Sequence, residues 1–460
     1  MESRREEDAL GAIWVPEGAY YGAQTQRAVE NFPVSGLRFP RSFIIALGLI
    51  KKNAALVNKD LGLLDASISE AIQSAAREVV DGELADQFVV DVFQTGSGTS
   101  TNMNVNEVIA GRANELLTGK RGGKFPVHPN DHVNLGQSSN DVIPSAIHIS
   151  AVMGIRSDLI PALRLLYRDL FGKSQEFIDV IKIGRTHLQD AVPIRLGREF
   201  GAYARQVELG IKRVENTLGN LTALALGGTA VGNGLNTHPQ FASRVIALLS
   251  RETGCEFHEA SDHFEAQAAQ DAAVETSGAL RSVAVSLAKI ANDIRWLASG
   301  PRCGLGEITL PSLQPGSSIM PGKINPVIPE VVLQVSAQVL GNDLSIAMGG
   351  HGGTFELNTM MPLIAYNLLQ SIDLLAKGAA LFAKKCIAGI SANLERCSSL
   401  IEESLALSTY LVPSIGYDRA SSIAKEAHAT GRTIREVLLG NRIMAEEEID
   451  ALFQGIRPEK

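Results

Sequence analysis

Residues 280–297 read LRSVAVSLAKIANDIRWL, and their apolar positions settle the class of fold. Leu280, Val283, Leu287, Ile290, Ile294 and Leu297 are spaced 3, 4, 3, 4, 3. That spacing lines one face of an α-helix with apolar side chains. Phe200, Ala204, Val207, Ile211, Val214 and Leu218 repeat it with spacings 4, 3, 4, 3, 4. The first stretch stops at Gly300-Pro301. If it starts near Phe264, it spans about 50 Å at about 1.5 Å per residue. Helices of that length point to a bundle whose core continues into partner subunits, with a bundle complete within one chain as the alternative. Alternation with period two is scarce. Short strands fit only the first 40 residues and Val127 to Val133, and no βαβ rhythm points to a doubly wound sheet. The expectation is an all-α protein.

Composition narrows the function. The chain has 460 residues, 45% hydrophobic and 20% charged, an ordinary globular balance with room for a large core. A net charge of −8 argues against a nucleic-acid partner, because phosphate binding needs a basic face. Cys255, Cys303, Cys386 and Cys397 form no CxxC pair, which disfavours a zinc site or a disulfide framework and fits a reducing compartment. No ligand cluster for a metal or organic cofactor is apparent, so none is expected. The charged start MESRREEDALG is no signal peptide, and no apolar run approaches a membrane span. A cytoplasmic location is expected. Weak breaks near Ser138 and Ile387 to Ser391 divide the sequence into 1–137, 138–390 and 391–460.

Four polar, glycine-marked segments interrupt the helices: TGSGTSTNMN (Thr95 to Asn104), HPNDHVNLGQSSND (His128 to Asp141), GRTHLQDA (Gly184 to Ala191) and GSSIMPGKINP (Gly316 to Pro326). In the last, Gly316 and Gly322 give backbone freedom while Pro315, Pro321 and Pro326 oppose a helix. Any one segment taken alone reads more readily as a turn or cap, since Ser, Thr, Asn and Asp favour both. Four of like chemistry on a rigid helical frame point instead to a site for an anion, with proton chemistry performed on it. GGTAVGNG (Gly227 to Gly234) lacks a following Lys-Ser or Lys-Thr, so it reads as a tight inter-helix connection and not as a nucleotide loop.

These segments resemble the fumarase/aspartase superfamily, and over nearly the whole length the chain resembles class II fumarases. The likeness runs through GSGTSTNMNVNEVI (Gly96 to Ile109), QSSND (Gln137 to Asp141), IGRTHLQDA (Ile183 to Ala191) and GGTAVGNGLNTHP (Gly227 to Pro239). It continues through FEAQAAQDA (Phe264 to Ala272), NDIRWLASGPRCGLGEI (Asn292 to Ile308) and GSSIMPGKINP. The resemblance implies a central long five-helix bundle, pooled by four chains into a twenty-helix core. Each active site would be shared among three subunits of the homotetramer. It implies reversible hydration of fumarate to (S)-malate, a step of the tricarboxylic acid cycle, through an enediolate-like carbanion. Such a reaction needs donors and cations for the developing charge, a base for the carbon proton and an acid for the leaving hydroxide.

By resemblance, Ser317 is the base, His187 handles water and Glu330 is its partner. A carboxylate beside an imidazole fixes its tautomer and suits it to proton transfer near neutral pH. Ser97, Gly98, Thr99, Ser138, Ser139, Asn140, Thr186, Ser318, Lys323, Ile324 and Asn325 are the implied substrate contacts. His128, Pro129, Asn130 and Asp131 resemble a second, superficial anion site. Fumarases carry an arginine or lysine just before that run. Phe125-Pro126 stand here, with Lys124 the nearest cation. Val327-Ile328-Pro329-Glu330 and TGRTIREV (Thr430 to Val437) look more like aspartases, while Ser138-Ser139 is the fumarase form. Aspartate ammonia-lyase, another lyase of succinyl-bearing substrates and a crystallin-like protein with a dead site remain the alternatives.

Overall fold

Immediately before Asp271 the chain does something the apolar spacing does not register. Asp262 caps a short helix, His263–Ala268, accepting from the Phe264 and Glu265 amides at 2.8 and 3.1 Å. Gln270 then takes a left-handed φ of 63°. A non-glycine residue there ends one helix before the next can begin. In the computed structural model, which describes residues 2–454, the long helix therefore starts at Asp271 and not near Phe264. It runs 27 residues, Asp271–Leu297, or about 40 Å. All six of its seam residues are buried, as are five of the six on Leu196–Leu221, where Leu218 is half-buried.

Among the described residues, five helical segments reach 24 residues or more. Ser139–Gly154 passes through a π-helical turn, Ile155–Leu159, into Ile160–Glu176. The others are Leu196–Leu221, Asp271–Leu297, Val327–Gly350 and Met361–Lys385. The fold is all-α, and among the described residues the strands pair only in twos. Helix meets helix through polar ties and one close glycine contact. Asn220 Nδ2 donates to Glu275 at 2.6 Å, and Ser277 and Arg281 both donate to Asp343 at 2.8 Å. Asn342 Nδ2 donates to Gln370 and Ser371, each at 3.0 Å. A Cβ on Gly349 would sit 2.7 Å from Ile364, so that glycine sets how closely its two helices approach.

Contacts gather the chain into two compact units. One comprises the residues up to Pro161 with Gly210–Ala284 and Val335–Lys377. The other comprises Ala162–Leu209, Val285–Gln334 and the residues from Gly378. The division falls inside each of the five long segments, so neither unit is one stretch of sequence. Within the second, Leu407, Leu411, Ala420, Ile423, Ala427, Ile434, Val437, Leu438 and Ile449 form a separate small helical core.

The short strands expected near the start form a hairpin, Ser3–Asp8 with Gly11–Pro16. The strand expected over Val127 to Val133 is a single π-helical turn, Pro129–Val133, instead. The reason is local. His128 Nδ1 accepts from the Asn130 and Asp131 amides at 3.2 and 3.1 Å and so nucleates a turn. The expectation that no apolar stretch approaches a membrane span is also corrected. Ser139–Glu176 and Val327–Gly350 each hold an 18-residue window of mean hydropathy 1.2, which is 67% buried in the first and 33% in the second.

Candidate active site

Gly98 begins the Thr99–Thr118 helix at φ 73°, where a Cβ would lie 2.9 Å from Ile143. Gly96 is held more tightly still. Its carbonyl accepts from the Met361 amide at 3.1 Å, and a Cβ would fall 1.9 Å from the Thr359 carbonyl oxygen. These constraints aim the helix start at a second one. Ser97 Oγ lies 2.7 Å from Thr99 Oγ1, which lies 2.7 Å from Ser139 Oγ. Asn140 extends the row, its Nδ2 donating to the Ala230 carbonyl at 2.8 Å. Residues 40 apart in sequence thus form one line of hydroxyls, as a carboxylate clamp requires.

Ser138 has a structural duty within this row. It caps Ser139–Gly154, its Oγ accepting from the Asn140 amide at 3.2 Å while its own amide donates to Asp141 at 3.0 Å. Asp141, absent from the sequence-based site, is the anchor. Fully buried, its other oxygen accepts from the Gly227 and Thr229 amides, each at 3.0 Å. Burial pushes its carboxyl up, and the Ser138, Thr229 and Gly227 amides together with Lys51 oppose that. The glycine-rich run at Gly227 is thus a connection wrapped on a carboxylate.

His187 and Leu188 are the two turn residues of a hairpin, Ile181–Thr186 with Gln189–Arg195, in which Thr186 pairs with Gln189. Both have left-handed φ, 57° and 60°. That geometry normally selects Asn-Gly, so placing His-Leu there costs backbone energy and holds the imidazole at an exposed tip. Arg185, two residues before His187, donates to Glu307 at 2.8 Å. Lys182 donates to Glu199 at 3.0 Å and lies 3.4 Å from Glu307. Glu307 is fully buried and Lys182 nearly so, and nothing in the spacing of GLGEI singled that glutamate out. Burial pushes the Glu199 carboxyl up, with Lys182 pulling against it.

The 316–325 loop closes on itself. The Gly316 amide donates to the Lys323 carbonyl at 2.8 Å, and Asn325 Nδ2 donates to the Gly316 carbonyl at 2.7 Å. A Cβ on Gly316 would come within 2.5 Å of that Lys323 oxygen. Inside the ring, Ser317 Oγ accepts from the Ile319 and Met320 amides at 3.2 and 2.9 Å. Two N–H dipoles aimed at one hydroxyl oxygen favour negative charge on it. Ser318, Lys323 and Ile324 are exposed. Lys323, Ile324, Asn325 and Glu330 share a cavity of about 610 Å³ with Asn292 and Arg295, whose Nε is buried without a partner. Glu330 stands in the first turn of Val327–Gly350 as expected. No hydrogen bond joins it to His187 among the described residues. Asn325 spends its amide on the loop itself, where the resemblance had it on substrate.

The chain matches the family described as Lyase over residues 11–341 and that described as Fumarase C C-terminus over residues 407–457. It is 55% identical over 447 residues to the class II fumarate hydratase of Nitrosomonas europaea, covering 97% of each chain. The class II fumarate hydratase of Halobacterium salinarum is 57% identical over 445 residues, 97% of this chain and 94% of that one.

The chain belongs to the class II fumarate hydratase family.

The crystal structure of class II fumarase from Schistosoma mansoni superposes with a TM-score of 0.94 at 39% identity, covering all of both chains. Against this fumarase background the aspartase-like run after Pro326 carries little weight, and aspartate ammonia-lyase is not favoured. The implied second anion site looks different from its sequence. His128 lends Nδ1 to the two amides already named, and burial pulls its imidazole toward the neutral form despite Asp131 at 3.3 Å. Phe125 is 86% exposed at the place where the resemblance implied a cation.

Proposed function

We infer that this chain hydrates fumarate reversibly to (S)-malate, and that Ser317 is its base. The pair of loop amides donating to Ser317 Oγ carries that assignment. In the dehydration direction Ser317 acts as its alkoxide, its hydroxyl proton having passed to solvent, and the oxygen held by the two amides takes the C3 proton of malate, regenerating the hydroxyl. The C–H electrons move into an enediolate whose charge Lys323 and the loop amides absorb. The C2–O bond then breaks, and the leaving hydroxide takes a proton from His187 and departs as water. Hydroxide needs that acid more than ammonia would, which favours water chemistry at His187. Thr99, Ser139, Asn140 and Thr186 hold the carboxylates so that both reacting bonds align.

We further propose a homotetramer in which three subunits complete each site. Leu340, Leu344 and Met348 form an i, i+4, i+8 stripe on Val327–Gly350 and are 42, 66 and 61% exposed. The same helix buries Asn342 and Asp343 against hydrogen-bonding partners, which suits a protein cover better than lipid. Four free thiols, three of them buried, support a reducing, cytoplasmic location.

Incubation with malate and separately with aspartate, followed by fumarate absorbance, tests the reaction. Fumarate from malate alone is expected, and fumarate from aspartate alone would overturn the reading. Ser317→Ala should lose most turnover while malate still binds. A near-normal rate would remove Ser317 as base.

A further inference from the structure

We propose that Lys51, buried behind the hydroxyl row, is a positioning residue that sets the Ser138–Asn140 segment for substrate through Asn134 and Gln137. The proposal rests on the reading of Thr99, Ser139 and Asn140 as a carboxylate clamp. Lys51 lies on Arg41–Asp60 within the run IALGLIKKNAALV and is fully buried, although its neighbour Lys52 pairs ordinarily with Glu252 at 2.8 Å. An isolated ammonium there is costly, so its surroundings must compensate.

The compensation is directed at the site. Lys51 Nζ donates to Asn134 Oδ1 at 2.9 Å and to Gln137 Oε1 at 3.0 Å. Asn134 Oδ1 also accepts from Asn102 and Asn106, each at 3.2 Å, and both stand on the helix that begins at Thr99. Asn134 Nδ2 returns to the Gln137 carbonyl at 3.1 Å. Gln137 adjoins Ser138. One amide oxygen therefore gathers three donors and ties the two halves of the hydroxyl row together. Asp141 closes the arrangement by capping Ser138 and attracting Lys51.

Two acceptors satisfy both N–H groups of a neutral amine but leave the third of an ammonium unused. Both protonation states therefore fit the site, while only the ammonium makes charge-assisted bonds. Burial pulls Lys51 down to about 7, with Asp141 opposing. Asp141 is the charged group facing it. Glu252, from Phe241–Thr253, is held by Lys52 and Asn53, and Thr99–Thr118 meets the network with the neutral amides of Asn102 and Asn106. The grip on Ser138–Asn140 should accordingly be firmest below neutral pH.

The experiment compares parent and Lys51→Met in the intact assembly, with malate from pH 6 to pH 9, alongside sedimentation and thermal unfolding. At pH 6 the variant's KM should be about tenfold higher with kcat within about threefold, because a clamp acts on ground and transition states alike. The KM ratio should shrink to about twofold at pH 9, where the parent has itself lost the ammonium. Taking the ratio cancels every titration the two proteins share. A merely structural lysine gives a ratio that does not move with pH, and that result, or an unchanged KM, overturns the proposal. If Lys51→Met fails to assemble, Gln137→Met removes one acceptor and leaves the charge in place. It should show the same pH-dependent rise at about threefold, and a flat ratio again overturns the proposal. Ser139→Ala reports on the clamp separately. A raised KM there with normal Lys51→Met kinetics refutes only the role of Lys51, whereas an unchanged KM in Ser139→Ala refutes the clamp and the inference with it.

Discussion

Glu307→Leu removes a fully buried carboxylate without emptying its volume, so its effect isolates charge. In the parent, Lys182 and Arg185 face Glu199 and Glu307 with N–O distances of 2.8 to 3.4 Å. Side-chain exposure is 1% for Lys182 and 14% for Arg185. Without Glu307, Arg185 loses its carboxylate and Lys182 keeps only Glu199. Breaking a buried pair by deleting one partner costs about 3–5 kcal/mol, chiefly because the survivor stays dehydrated. The assay is urea unfolding at one fixed protomer concentration, since assembly makes apparent stability depend on concentration. The reasoning also fixes the sign of a double variant. Lys182→Met with Glu307→Leu leaves one cation, Arg185, and one anion, Glu199. It should recover about 1–3 kcal/mol relative to the sum of the single effects. Arg185 immediately precedes Thr186 and His187, so Glu307→Leu should also lower kcat in the fraction that remains folded. A Glu307→Leu protein within about 0.5 kcal/mol of the parent, or strict additivity in the double variant, would refute the account of this cluster.

Gly96→Ala places a methyl 1.9 Å from the Thr359 oxygen, which must displace backbone. A fall of about 2 kcal/mol or more is expected in thermal unfolding, with loss of malate turnover. Lys51 should make stability rise with pH. Its folded value is about 7 against about 10.4 in an unfolded chain, so between those values the unfolded state binds more protons and folding gains. The urea midpoint of the parent should climb relative to Lys51→Met from pH 7 to pH 9, and parallel curves would contradict this. Leu344→Glu puts a charge on the exposed stripe of Val327–Gly350. Sedimentation should show smaller species whose activity falls with their mass, and an active monomer would end the shared-site proposal.

The sequence by itself determined the helical class and the nature of the chemistry. Apolar spacing along 200–218 and 280–297 is a direct image of helix geometry, and those seams are buried almost residue for residue. Glycine, proline and paired serines in 316–326 likewise dictated a loop, because their backbone limits are local. Tertiary structure decided what those local rules cannot encode. The break at Gln270 and the capped turn at His128 depend on individual residues, Asp262, Gln270 and His128, that leave no periodic trace. Thr99 and Ser139 stand 40 residues apart, and only the packing of two helix starts brings their hydroxyls to 2.7 Å. Asp141, Lys51 and Glu307 look like ordinary surface charges in one dimension. Burial gives each its role, because a charge removed from water must find partners, and those partners are chosen by the fold and not by the neighbouring sequence.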